Sequence, residues 1–114
     1  MELPEELCRI LGMLEENLET KIKNNNIMIK AIQQQLRRLR AQLGHQRKRR
    51  NEAMVLLMAT PDTPGDMAQR EQTFILSDNC VRALERAIRL GTVNLQAKLI
   101  IKRTLLVETT WFSV

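Results

Sequence analysis

The chain has 114 residues, enough for one domain. With 44% apolar and 27% charged residues it has an ordinary soluble balance, which excludes a disordered chain. One Trp, two Phe, no Tyr, four Gly and three Pro are too few for an all-β fold, which needs turn residues every few positions. The net charge of +5 and a pI near 9.8 are compatible with an anionic partner without requiring one.

The first predicted element opens at Pro4, with Glu5 and Glu6 beside it to meet the helix dipole. The apolar spacing that follows is that of a heptad seam: Leu7, Leu11, Leu14, Leu18, Ile22, polar Asn25, Ile29, Ile32, Leu36, Leu39 and Leu43. Steps of three and four alternate, except for one extra step of four at Leu18 to Ile22, an irregularity of the stutter kind. Past Leu43 the same phase meets Gln46 and Arg50, then returns to Ala53 and Leu57. A continuous helix over 5–59 would run roughly 80 Å, against about 30 Å for a small domain, so it calls for a partner.

Asn24, Asn25 and Asn26 admit two readings. Consecutive Asn suit a turn, which would make a hairpin there. Alternatively the helix continues and Asn25 is a polar seam position that sets register. The seam resumes almost in phase, and Gly and Pro are absent, which favours continuity.

The segment from Thr60 to Asp66 is the clear breaker. Pro61 stops the long helix. Thr63 suits an N-cap, with Pro64 at the first helical position. A short helix to about Leu76 follows, and Ser77, Asp78 and Asn79 offer caps for a final helix. Its expected apolar face is Val81, Leu84, Ile88, Leu95, Leu99 and Leu106, flanked by Ala87, Ile100 and Leu105, with Gly91 and Thr92 weakening the middle. Thr109 to Val114 is a β-prone tail. The expected organisation is therefore a coiled-coil arm over 1–59, a linker with a short helix over 60–78, an amphipathic helix over 79–108 and a tail over 109–114. The fold class is all-α, a heptad-bearing arm with a C-terminal helix packing back, in a coiled-coil or helical-bundle oligomer.

Charge is segregated along the chain. Residues 1–22 carry net −4, 23–50 carry +9 with no acid, 51–78 carry −4 and 79–114 carry +4. An antiparallel pairing of two arms sets Glu15, Glu16 and Glu19 against the basic block and relieves its self-repulsion. Within that block Arg37, Arg38, Arg40, Arg47, Lys48, Arg49 and Arg50 make half of a fourteen-residue stretch. Such a run suits phosphate contact through residues 37–50, a nuclear-import address, or a solvated face paired to acids. No aromatic lies nearby for base stacking, so nucleic-acid binding would engage the backbone.

Catalytic chemistry finds no foothold. His45 is the sole His and sits in the basic run. One His with Cys8 and Cys80 far apart makes no zinc set, and the four Gly are isolated. No enzyme activity, metal or cofactor is expected. Scattered Cys without a framework suggest a reducing compartment, nucleus or cytoplasm. The acidic N-terminus is wrong for a targeting peptide, and no stretch is apolar enough to span a membrane. Thr60-Pro61 and Thr63-Pro64 are candidate phosphorylation sites, and Phe112-Ser113-Val114 a candidate groove-docking terminus. The expected function is non-enzymatic: a coiled-coil interaction subunit of an intracellular complex, pairing with itself as an antiparallel homo-oligomer or with other helical chains. The alternative is a basic helical binder of double-stranded RNA or DNA backbone, working as a dimer.

Overall fold

The computed structural model describes residues 4–60 and 63–112. The fold is all-α: α1 runs Glu5–Met58 and α2 runs Pro64–Phe112, 54 and 49 residues long. Among the described residues none has a positive φ and no peptide bond is cis.

Helix α1 starts where the Pro4 carbonyl accepts the first helical bond from Cys8 N at 3.0 Å, with Glu5 and Glu6 in the first turn. It passes through Asn24, Asn25 and Asn26 without a break, which settles the two readings of that segment for the continuous helix. Asn25 is buried, 6% exposed, and its Nδ2 donates to the Lys98 carbonyl at 3.0 Å. A short amide that would otherwise compete for its own backbone is thereby occupied by the other helix.

Thr63 caps α2 as its sequence predicts. Its Oγ1 accepts from Asp66 N at 3.2 Å, and its carbonyl accepts from Asp66 N and Met67 N. From Pro64 onward the structure departs from the expected pair of helices and tail. Residues 64–112 form one helix, with no boundary at Ser77–Asn79 and helix through Thr109 and Thr110. Asp78 does not cap; it lies 3.6 Å from Arg50 and 3.0 Å from Arg82, an ion pair on the helix side. Thr109 and Thr110 donate their hydroxyls back to Leu105 O and Val107 O, which removes their pull toward extended backbone. Pro61, Ser113 and Val114 lie outside the described residues, and with them parts of the candidate phosphorylation and groove-docking motifs.

The chain divides into two units. One is Met1–Gln33 with Val93–Val114; the other is Gln34–Thr92. Each pairs a segment of α1 with a segment of α2. In the second unit the pairing is antiparallel: Leu36 meets Gly91, Arg47 meets Glu85, Arg50 meets Asp78, and the end of α1 meets Arg70. Buried apolar side chains are Leu18, Ile29 and Leu105 in the first unit, and Leu36, Leu43, Ala53 and Val81 in the second.

The face each helix buries follows a strict alternation of three and four. On α1 it is Leu18, Ile22, Asn25, Ile29, Ile32, Leu36, Leu39, Leu43, Gln46, Arg50, Ala53 and Leu57. Apart from Asn26, these are the only residues from 18 to 57 that are not exposed. On α2 it is Met67, Arg70, Phe74, Ser77, Val81, Leu84, Ile88, Gly91, Leu95, Lys98, Lys102, Leu105 and Thr109. The expected α2 face agrees through Leu95 and then slips. Leu99 is half-buried and Leu106 is exposed, while Lys98, Lys102 and Leu105 keep the phase. Lys stems can cover apolar surface while the ammonium stays wet, so a charged residue on the inner face is tolerated.

Candidate interaction surfaces

Within one copy the α1 seam is already covered from Leu18 to Leu57. Of the residues singled out by sequence, Leu18, Ile29, Leu36 and Leu43 are buried, and Ile22, Ile32 and Leu39 are half-buried. Leu7, Leu11 and Leu14 are exposed. The extra step of four at Leu18 rotates Leu7 and Leu14 off the phase that the rest of α1 keeps, and the in-phase position 15 is a Glu.

The basic run splits into two groups. Arg47 lies 3.5 Å from Glu85, and the half-buried Arg50 lies 3.6 Å from Asp78. Arg50 occupies a seam position, so its guanidinium is held against α2 by a carboxylate that Arg82 also contacts. These acids belong to α2, not to the block Glu15, Glu16 and Glu19 that the charge pattern suggested. The other five, Arg37, Arg38, Arg40, Lys48 and Arg49, are exposed and make no ion pair among the described residues. The charge of the two units differs accordingly. The unit Met1–Gln33 with Val93–Val114 carries seven acids and seven bases; Gln34–Thr92 carries six acids and eleven bases. The whole net charge of +5 therefore falls to the second unit.

Two residues escaped sequence reasoning. Arg70 donates from Nη1 to the carbonyls of Leu56 and Ala59, both at 3.1 Å. The last turn of α1 has no basic residue of its own, so Arg70 supplies both the donors and the positive charge that a helix C-terminus lacks. Gly91 sits where a Cβ would stand 2.7 Å from Leu36 Cδ2, so its absence of side chain lets the helices close. A glycine at a position alternating in phase with Val81, Leu84 and Ile88 was the available signal.

His45 and Cys80 line one groove with Ala41, Gln42, Gln46, Ala83 and Leu84. Among the described residues no three His, Cys, Asp or Glu side chains are grouped to hold a metal ion. No helix among them is long and apolar enough to cross a membrane. No protein-family model matches the chain, and no curated protein and no solved structure matches it.

Proposed function

We propose that this chain is a non-enzymatic helical-hairpin interaction subunit that docks its uncovered apolar faces on other helices within an assembly inside the cell. One observation carries the reading. Among the described residues of the unit Met1–Gln33 with Val93–Val114, twelve large apolar side chains are exposed, while three are buried and four half-buried. Scattered exposed apolar residues are ordinary, but here they outnumber the core that holds the unit together. Cys8 and Cys80, both exposed thiols, fit a reducing compartment. The test is the mass of the purified full chain at tens of micromolar in high salt, together with binding of a hydrophobic dye. An assembly that survives salt, or a monomer that binds dye, supports the reading. A fully helical monomer that binds no dye overturns it.

The second reading is phosphate-backbone binding by the unit Gln34–Thr92. The five exposed basic residues of the run 37–50, none in an ion pair among the described residues, on a unit holding all of the net charge, favour it. Replacing Arg37, Arg38, Arg40, Lys48 and Arg49 with Gln should abolish duplex retention at about 50 mM salt and reduce the log–log salt slope by about 0.9 per lost contact. A wild-type chain that retains no duplex at that salt removes this reading and leaves the first.

A further inference from the structure

Helix α2 carries a second seam opposite the one it buries. Val93, Ala97, Ile100, Thr104 and Val107 follow steps of four, three, four and three, and all five are exposed. Val93, Ile100 and Val107 are 63%, 62% and 60% exposed. The alternation is the spacing of a helix–helix contact, yet no described residue covers it.

We infer that this face binds the same face of a second copy, antiparallel, about a twofold axis at Ile100. The inference rests on the interaction-subunit reading and names its partner. A twofold contact requires a surface that is complementary to itself, so that when residue i meets j, j also meets i. The stripe satisfies this. With Ile100 opposite Ile100, Val93 falls opposite Val107, and Ala97 shares a layer with Thr104. Large side chains then meet at the centre and ends, with smaller ones between. The flanks agree. Gln96 falls beside Arg103, Asn94 beside Glu108, and Ile101 beside its own copy. No like charges meet, and the unit that carries the stripe has equal numbers of acids and bases. The one polar side chain on the stripe is already satisfied, since Thr104 Oγ1 donates to Ile100 O at 3.1 Å. Its burial therefore leaves no hydroxyl hydrogen unpaired.

The experiment uses the full chain. Wild type at tens of micromolar should have twice the 13.2 kDa chain mass by light scattering. Ile100→Asp should weaken the dimer at least about 100-fold, since it sets two carboxylates together on the axis in an apolar contact. Its helicity should be kept, because Ile100 is exposed in the single copy. Val55→Asp, at a 68% exposed position on α1, should leave the dimer intact. In a Cys8→Ser, Cys80→Ser background, Ile100→Cys should oxidise readily to a covalent dimer. A dimer that Ile100→Asp leaves unchanged, or that Ile100→Cys fails to cross-link, overturns this face. A wild-type monomer that binds hydrophobic dye overturns the second copy as occupant but spares the interaction reading. A monomer that binds no dye overturns both.

Discussion

Leu36 and Gly91 define a close approach of the two helices: a methyl group added at Gly91 would stand 2.7 Å from Leu36 Cδ2 and 3.5 Å from its Cγ. Leu36 is 3% exposed, so it has little room to turn away. Replacing Gly91 with Ala gains about 1 kcal/mol of helix propensity and incurs about 1–3 kcal/mol of overpacking. The expected result is a net loss of about 1 kcal/mol in urea unfolding, and a larger loss for Gly91→Val. Leu36→Ala alone should cost about 2–5 kcal/mol. Combined with Gly91→Ala it should cost less than the sum, because the new methyl enters the space Leu36 vacates. An additive pair would show that the helices do not meet here.

Asn25 should act on register more than on stability. Asn25→Ala removes one hydrogen bond to Lys98 O and should cost about 1 kcal/mol. Asn25→Leu should raise the unfolding midpoint, as apolar residues at such positions do, while permitting more than one alignment of α1 and α2. Amide NMR spectra would record this as doubled or broadened peaks for residues near 25 and 98. Sharp, single peaks in the Leu variant would assign Asn25 no part in alignment.

Arg70→Gln should loosen the end of α1. The two carbonyls it serves lose a charged donor, worth about 1 kcal/mol at this partly exposed place. Hydrogen exchange should accelerate in the last turn of α1 by several-fold, with residues near Asn25 unaffected. Arg70→Lys should restore part of the protection. Uniform acceleration throughout α1 would point to global destabilisation instead.

The Arg50–Asp78 pair is half-buried on both sides, so its two halves are unequal when removed. Asp78→Ala leaves a cation on the seam with no carboxylate and should cost about 1–2 kcal/mol. Replacing Arg50 with Met and Asp78 with Ala together should cost less than Asp78→Ala alone. Arg82→Ala should change stability by less than about 0.5 kcal/mol, since that side chain is largely exposed and salt-screened. A double variant weaker than either single variant would contradict this ordering.

The α1 seam was legible in sequence because two large aliphatic residue types, Leu and Ile, dominate it. Leu and Ile at alternating steps survive a polar Asn25 and, past Leu43, even Gln46 and Arg50. The course of α2 was less legible for a physical reason. Its apolar residues divide between an inner face, which also holds Arg70, Ser77, Lys98 and Lys102, and an outer one at Val93, Ile100 and Val107. Two opposed apolar faces blur a single period, and the slip to Leu99 and Leu106 arises because the inner positions Lys98 and Lys102 are charged while a Leu stands one position beyond Lys98 and one beyond Leu105. Ser77, Asp78 and Asn79 looked like caps because their side chains suit caps. The contact of Asp78 with Arg50 is a long-range fact that no local pattern reveals. For the same reason the partners of Arg47 and Arg50 could not be found from charge blocks alone.

The division of the chain also has a bearing on the order in which it folds. Gln34–Thr92 is one continuous stretch around the turn, and Arg70 reaches Leu56 across only 14 positions. The other unit joins residues far apart in the chain, with Asn25 and Lys98 separated by 73 positions. Closing short loops before long ones loses less chain entropy at each step. The stretch around the turn is thus able to zip up while the polypeptide is still emerging from the ribosome, whereas α1 before Gln34 must wait for Val93 and beyond. Pulse-labelled refolding should show amides of 34–92 protected first, and a chain truncated after Thr92 should keep that protection while losing it before Gln34.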